Sequence, residues 1–572
     1  MKTLYSILKK VILLCVSVLI FFLAHPNNIF INGIGFLGFF IYLPVLFLVE
    51  KASIKTVLLW GGAYGAFAYG LFAFWLKNFH PLTLYIICIV YFLIFALVFF
   101  ILKVIQKSFS TYFWIFSCIF LCAFEYLKTL GFCGFSYGVS AYTQWKNLYL
   151  IQICQIVGVF GLNFLIIFPS SLIFGVYINH KNRNKIDLDN QINENRKKNF
   201  HITDFITNEQ IRKKLSWKKY YICASIWLFF MCISYCFGFY TIHNHKKNAE
   251  KHDYVTVVAV QNNEDPWKNG LIEYSKNIKN LKNLTEETFD FYDKIDFVIW
   301  PETAVVPPVL THYQGGKDKK RQEVIQSLLE FIDDKSAVFV IGNSYEQKNL
   351  TGNFDRYNSV FVFEPKKNVI PPQPDIYSKI HLVPFTEYFP YKEKFPRFYK
   401  KLLNGDTQMW KNGSEYKVFY NKNLNFSTPV CFEDTFGDDC RKFVKNGARC
   451  FFNLSNDAWS KSIVCQTQHL SMAVFRSVEN KVPTVRSTSS GQTCIINEYG
   501  KVIAQAPAFC ESYVIGKIPL LQDFKLSVYS RFGDYVGKIE VFLILLILII
   551  KLFSVIMRKS FKQIIRKNLY GN

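Results

Sequence analysis

The sequence predicts a two-part chain: a multispan α-helical membrane domain of eight transmembrane helices, with an α/β sandwich inserted before the last of them. Three observations predict this. The 572 residues are 51% hydrophobic, with 58 Phe, 33 Tyr and only 19% charged residues, which excludes a disordered or fibrous chain and lies below the charge of an ordinary soluble protein. Mean hydropathy is nonetheless only +0.15, the average of a greasy portion and a polar one. Finally, the apolar stretches approach the ~20 residues that cross a bilayer, and none falls between 242 and 538.

The stretches are 11–24, 29–48, 56–76, 83–102, 111–132, 150–178 and 221–241, with an eighth at 539–556. The first follows Lys2, Lys9 and Lys10 as a signal peptide would, but no small residues frame a cleavage site near Ala24 and further spans follow. It reads as an uncleaved anchor. Leu14 is too bulky to precede a lipidated cysteine, so Cys15 is a plain membrane cysteine. The chain thus divides into a seven-helix membrane domain (1–241), an outer domain (242–538) and the eighth helix with a basic tail (539–572).

Net charge is +24, and Lys and Arg concentrate in 1–10, 103–110, 179–220 and 551–572. The alternate segments 25–28, 77–82 and 133–149 contribute only Lys77 and Lys146. Lys/Arg-rich loops stay cytosolic, which places both ends of the chain inside and 242–538 outside. The runs Arg196-Lys197-Lys198 and Arg212-Lys213-Lys214 read as topology signals that also suit anionic headgroups, so the basic charge does not call for nucleic acid. The Asn/Lys-rich segment 181–219 reads as a flexible cytosolic loop.

Nine of the 15 cysteines precede residue 237, where they serve as small apolar residues. The outer six, Cys431, Cys440, Cys450, Cys465, Cys494 and Cys510, contain no C-x-x-C pair, so zinc is not expected; disulfide pairing among the last five stays open. Gly33-x-Gly35-x-x-Gly38 fits a dinucleotide fingerprint but lies in an apolar span after no strand; like Gly61-x-x-x-Gly65 it reads as small residues for close helix approach. Glu125 and Lys128 share one helix face in the fifth span and read as an internal ion pair, with a role in lipid handling as the alternative.

In the outer domain, strands are expected at Tyr254–Gln261, Ile295–Trp300, Ala337–Asn343, Tyr357–Glu364, Ser427–Cys431, Cys450–Leu454, Val485–Ser489, Thr493–Asn497 and Tyr513–Lys517. Helices are expected at 272–290, 320–333, 435–446 and 465–480. Three ends carry reactive groups. Glu302 follows a hydrophobic strand, Lys379 lies in a mostly apolar run, and Cys431 stands where a strand turns into a helix. There the helix dipole should lower the thiol pKa; a carboxylate can act as its base and a lysine can hold an oxyanion. Taken singly, each has a duller reading: a packing cysteine, a helix-capping glutamate, a solvated lysine.

In context, the residues resemble the nitrilase superfamily, whose triad is Glu, Lys, Cys in that chain order, and closer still its apolipoprotein N-acyltransferase family. The likeness is carried by Trp300-Pro301-Glu302-Thr303, Lys379-x-His381-Leu382-Val383-Pro384-Phe385-x-Glu387-Tyr388 and Cys431-Phe432-Glu433. It continues through Asn453 to Trp459, Gln468-His469, Arg476, Glu479-Asn480, Arg486 to Gly491 and Gly533-Asp534-Tyr535, with Gly131-Phe132 and Gln152 to Gly161 in the membrane half.

The resemblance implies a nitrilase-like αββα sandwich and a catalytic triad of Glu302, Lys379 and Cys431, with Glu387 and Glu433 as further functional acids orienting Lys379 and the loops around it. It implies ping-pong transfer from the sn-1 ester of a membrane phospholipid, through a cysteine thioester, to the α-amino group of a diacylglyceryl apolipoprotein. The setting it implies is the bacterial inner membrane with the catalytic domain periplasmic, a monomer, and no cofactor or metal. Phe432 stands where the family often has Tyr, so any hydroxyl role there is absent or supplied elsewhere, and Trp267 lies in a region similar to that of the family's functional Trp of the first catalytic loop, with different loop lengths. A membrane-tethered nitrilase-type amidase is the alternative activity; a transporter or receptor would leave the triad contexts to coincidence.

Overall fold

The computed structural model describes all residues except 1, 132–133, 196–216, 249–252, 314–317, 351, 385, 390–393, 395, 398–408, 523 and 571–572. The amino-terminal half is helical: α1 (Lys2–Ala24), α2 (Leu43–Lys51), α3 (Val57–Phe72), α4 (Pro81–Ser108), α5 (Phe113–Leu127), α6 (Cys154–Asn195) and α7 (Lys218–Asn248). Among the described residues four helices, within α1, α4, α6 and α7, are long and apolar enough to cross a membrane, and α3 and α5 are shorter apolar helices. On α4, Leu82, Ile86, Ile89, Leu93 and Leu97 form one exposed stripe at helical spacing. A soluble protein would cover such a face, whereas a lipid bilayer suits it.

Three expectations need correction in this half. The stretch 29–48 is not one helix but a 3₁₀ segment, Gly35–Phe40, followed by α2. A Cβ on Gly35 would lie 2.7 Å from the Thr143 carbonyl oxygen, so these glycines admit the 3₁₀ segment at 140–144 rather than a neighbouring helix. By contrast Gly61 and Gly65 do allow close approach, of α3 to the Phe95 and Tyr91 carbonyls on α4. The residues Glu125 and Lys128 do not pair. Glu125 accepts from Tyr42 (2.5 Å) and from the Ser140 N–H and hydroxyl, while Lys128, beyond the end of α5, donates to Tyr69 and the Gly138 carbonyl. Finally, the loop expected at 181–219 begins as helix, because α6 continues to Asn195; both basic runs lie outside the described residues.

The second half alternates strands and helices. Its larger sheet has the order β12-β1-β2-β3-β4-β5, from β1 (Tyr254–Gln261), β2 (Phe297–Ile299), β3 (Val338–Lys348), β4 (Phe354–Phe363), β5 (Asp375–Ser378) and β12 (Ser512–Pro519). The strands β1, β2 and β3 are parallel; the remaining pairs are antiparallel. A second sheet runs β11-β10-β9-β8, from β8 (Phe451–Ser455), β9 (Thr484–Thr488), β10 (Cys494–Ile496) and β11 (Val502–Gln505), and a small hairpin joins β6 (Phe419–Asn421) to β7 (Leu424–Phe426).

Residues of β1 alternate between two cores: Val257 and Ala259 face Phe452, Leu454 and Val485 of the second sheet, while Val258 and Val260 face α8 (Leu271–Phe291) and α9 (Lys319–Asp334). Burial on both faces explains the continuous apolar run. The second sheet is covered by α10 (Gly437–Lys445) and α11 (Ile463–Asn480), which completes an αββα order. The expected strand Ser427–Cys431 is only extended chain, touching β8 through bridges at Ser427 and Val430, because Pro429 has no N–H to give a ladder. After α12 (Val528–Phe532), α13 (Tyr535–Tyr570) includes the eighth apolar stretch.

Several hydrogen bonds tie the halves together. The Trp75 indole donates to Gln468, whose amide returns to the Pro26 and Phe72 carbonyls, and Asn78 reaches the Ser460 carbonyl. Helix α6 breaks at Gly158, and Glu479 of α11 accepts the freed Val159 N–H at 3.1 Å. The sheet-bearing half is thereby seated on the helical half through α11.

Candidate active site

The loop after β2 carries Glu302, and it can lie against β3 only because residue 342 is glycine: a Cβ there would sit 2.4 Å from the Pro301 carbonyl oxygen. Lys379 follows β5 immediately. Chain topology brings the two together, 7% and 1% exposed, with Lys379 Nζ 3.1 Å from Glu302 Oε1 and 2.8 Å from Glu387 Oε1. Asn358, on β4, donates to both carboxylates, and the Asn456 N–H holds the other Glu302 oxygen at 3.0 Å. Burial by itself would lower the Lys379 ammonium, but Glu302 and then Glu387 outweigh it and hold its pKa well above the usual lysine range.

Cys431 closes the extended segment with φ of +47°, a left-handed backbone that a residue with a side chain adopts only when its surroundings enforce it. The element it opens is a single 3₁₀ turn, Cys431–Thr435, separate from α10, so the expected helix-dipole lowering of the thiol pKa does not hold. Desolvation, and then the Glu302 charge, push this part-buried thiol well above the usual range, while Lys379 and a hydrogen bond from Ser455 pull partly back.

The residue Glu433 does not touch Lys379. Its carboxylate accepts from the Tyr377 hydroxyl and from the N–H groups of Ile380, His381 and Val430 at 2.7–3.0 Å, which fastens the Lys379 strand end to the cysteine turn. Burial raises its pKa to about 7 against those donors. Phe432 packs edge-on to Phe436, on which His381 stacks. Trp267 is half-exposed and meets Trp459 edge-on at 4.8 Å, beside the loop that supplies Asn456, so it flanks the triad without contacting it. Cys431, Cys440, Cys450, Cys465, Cys494 and Cys510 are all free thiols.

Sequence reasoning assigned no role to a buried ion cluster beneath the turn. His469 on α11 lies 2.6 Å from Asp434 and 3.0 Å from Asp457, and Arg486 on β9 pairs with Asp434. Burial would lower the His469 pKa, but Asp434 and Asp457 raise it to about 9. Because the unfolded value is near 6.5, the stability from this proton is fully present below pH 6.5 and lost as pH rises through 9. Thermal unfolding followed from pH 6 to 10 should show the midpoint falling across that window.

A paired carboxylate and ammonium beside a thiol, on a two-sheet αββα domain, define a protein of the carbon-nitrogen hydrolase class. The carbon-nitrogen hydrolase family model matches residues 256–523, and that of the apolipoprotein N-acyltransferase N-terminal domain matches residues 17–172. The chain is 38% identical over 97% of its length, and 97% of the relative's, to apolipoprotein N-acyltransferase 1 of Treponema denticola. It is 35% identical over 93% of both chains to apolipoprotein N-acyltransferase 1 of Treponema pallidum, and 30% over 90% of both to the apolipoprotein N-acyltransferase of Borreliella burgdorferi. The chain belongs to the apolipoprotein N-acyltransferase family.

Proposed function

We propose that this membrane enzyme N-acylates the diacylglyceryl-cysteine amino terminus of apolipoproteins, taking the acyl chain from a membrane phospholipid by way of a thioester on Cys431. The observation that carries this reading is the meeting of Glu302, Lys379 and the Cys431 turn on a domain clamped to apolar helices, where a lipid ester can reach the Cys431 thiol and an acceptor amine can follow it.

In the first half-reaction Glu302 takes the thiol proton as Sγ attacks the ester carbonyl carbon. Lys379 donates to the oxyanion, the ester C–O bond breaks, and the proton passes to the departing lysophospholipid. In the second, the acceptor amine attacks the thioester carbon and gives its proton to Glu302, the C–S bond breaks, and Glu302 returns that proton to the departing sulfur. Glu387 shares and orients the Lys379 ammonium, Glu433 fixes the turn, and Trp267 lines the approach. No cofactor or metal enters the scheme, and one chain suffices.

The same reading has eight passes through the bacterial inner membrane, the second made by the broken pair 35–51, with 242–538 as the periplasmic catalytic domain and 539–572 as the last pass and cytosolic tail. Reporter fusions near 200 and 560 should therefore be cytosolic and one near 400 external; a cytosolic reporter at 400 would sink the orientation. For the activity, purified protein given phospholipid and a diacylglyceryl-cysteine peptide should yield an N-acylated peptide and one lysophospholipid. Release of ammonia from small amides without peptide acylation would instead make the protein a tethered amidase.

A further inference from the structure

The ion cluster links two parts of the site that the chain keeps far apart. Asp434 is the third residue after the nucleophile, within the same 3₁₀ turn. Asp457 directly follows Asn456, whose N–H holds Glu302. His469 Nε2 approaches Asp434 at 2.6 Å and Nδ1 approaches Asp457 at 3.0 Å, all three side chains being almost completely buried. Ionised carboxylates only accept, so with Asp434 and Asp457 ionised both ring nitrogens donate and the ring is an imidazolium, the shorter Asp457 contact winning Nδ1 over Arg486 Nη2 at 3.5 Å. Arg486, fully buried, lies against the same two carboxylates. Two cations thus balance two anions. Ser455 stands between the cluster and the thiol: its hydroxyl lies 3.4 Å from Asp457 and within hydrogen-bond reach of the Cys431 sulfur, so its single proton goes to one or the other.

We propose that His469 is a positioning residue for the Cys431 thiolate: it fastens the nucleophile turn to the loop that holds Glu302, and its charge keeps the cluster beneath the sulfur neutral. Loss of the imidazolium charge would leave one uncompensated carboxylate near the sulfur. A negative charge there opposes thiolate formation at the moment the thiol proton moves. The other titratable groups around the cluster, Tyr137 from the membrane half, Cys465 on α11 and Cys494 on β10, are neutral at rest and supply no replacement cation.

The role assigned to His469 rests on the acyl-transfer reading, but its test does not require an acyl donor. In phospholipid-free detergent, iodoacetamide alkylation of Cys431 at about pH 8 is read by peptide mass mapping. His469→Gln, which leaves the cluster one charge negative, should slow alkylation about tenfold, the effect of one added charge at a partly screened site. The double change His469→Gln with Asp457→Asn restores neutrality and should bring the rate back to within about threefold of the wild type. Simple structural damage would add instead, making the double variant slower than the single one, and that result overturns the proposal, as does a wild-type rate in His469→Gln.

In single-turnover acylation the same order should appear in kcat, with the KM for phospholipid unchanged. Should His469→Gln not fold, the wild-type protein still decides the matter. Its acylation rate should fall above about pH 9 while circular dichroism stays native; a rate that climbs steadily to pH 10 overturns the proposal. Normal alkylation behaviour with no acylation at all would refute the acyl-transfer reading and leave the role of His469 intact.

Discussion

Cys431→Ala is expected to abolish acyl transfer and to accumulate no acyl-enzyme. Wild-type protein given phospholipid without acceptor should accumulate one acyl group on Cys431, labile to hydroxylamine as a thioester is. The expectation rests on the backbone as much as on the sulfur. Cys431 is held in a left-handed conformation between Val430 and Glu433, which are themselves tied by a 2.7 Å hydrogen bond, so the thiol is presented at one fixed point. Cys440, Cys450, Cys465 and Cys494 are buried with raised thiol pKa values and should not substitute. Transfer that survives Cys431→Ala but disappears with Cys440→Ala or Cys465→Ala would mean that the nucleophile is elsewhere.

The second large effect is expected at the buried pair. Glu302→Gln keeps the shape of the side chain but places an amide donor against Lys379 or the Asn456 N–H, and it removes the carboxylate proposed to take the thiol proton, so acyl-enzyme formation should slow by roughly 10²-fold or more. In Lys379→Arg the charge is kept. Its planar fork nevertheless cannot reproduce one ammonium held between Glu302 and Glu387, and the loss should be on the order of 10²–10³, the usual cost of a displaced oxyanion donor. Lys379→Met would confuse the result, because two buried carboxylates left without their cation should destabilise the fold by about 3–5 kcal/mol. Rapid acylation by Lys379→Arg would assign the oxyanion to another donor, Asn358 or a backbone N–H.

Much of this architecture is legible along the chain. The strand Tyr254–Gln261 appears over the residues expected, since a run apolar on both faces has one stable use in an α/β domain. The helix expected at 465–480 appears as Ile463–Asn480, capped by the Ser462 hydroxyl. Three strand ends with a carboxylate, a lysine and a thiol could be picked out from neighbouring residues alone. The thiol's environment could not. Its helix was read as continuous with 435–446, whereas the structure inserts a 3₁₀ turn and sets Glu302 close enough to raise the thiol pKa. Likewise Asn358 stands among polar residues in the first half of a strand, and nothing nearby marks it as the donor shared by Glu302 and Glu387.

Local patterning by itself determined what each segment is: which stretches are apolar enough for lipid, which alternate as strands, and where a reactive side chain meets a turn. Those properties depend on neighbours within a few residues, through backbone hydrogen bonding and the period of the apolar positions. Only the tertiary structure decided what each charge faces. Lys379 meets Glu302 across 77 positions, Glu302 meets the Asn456 N–H across 154, and Glu125 finds Tyr42 across 83 instead of Lys128 three residues away. A buried charge settles on whichever partners the packing brings to it, because leaving it unpaired costs several kcal/mol, more than any helical i,i+3 preference of a few tenths can offset.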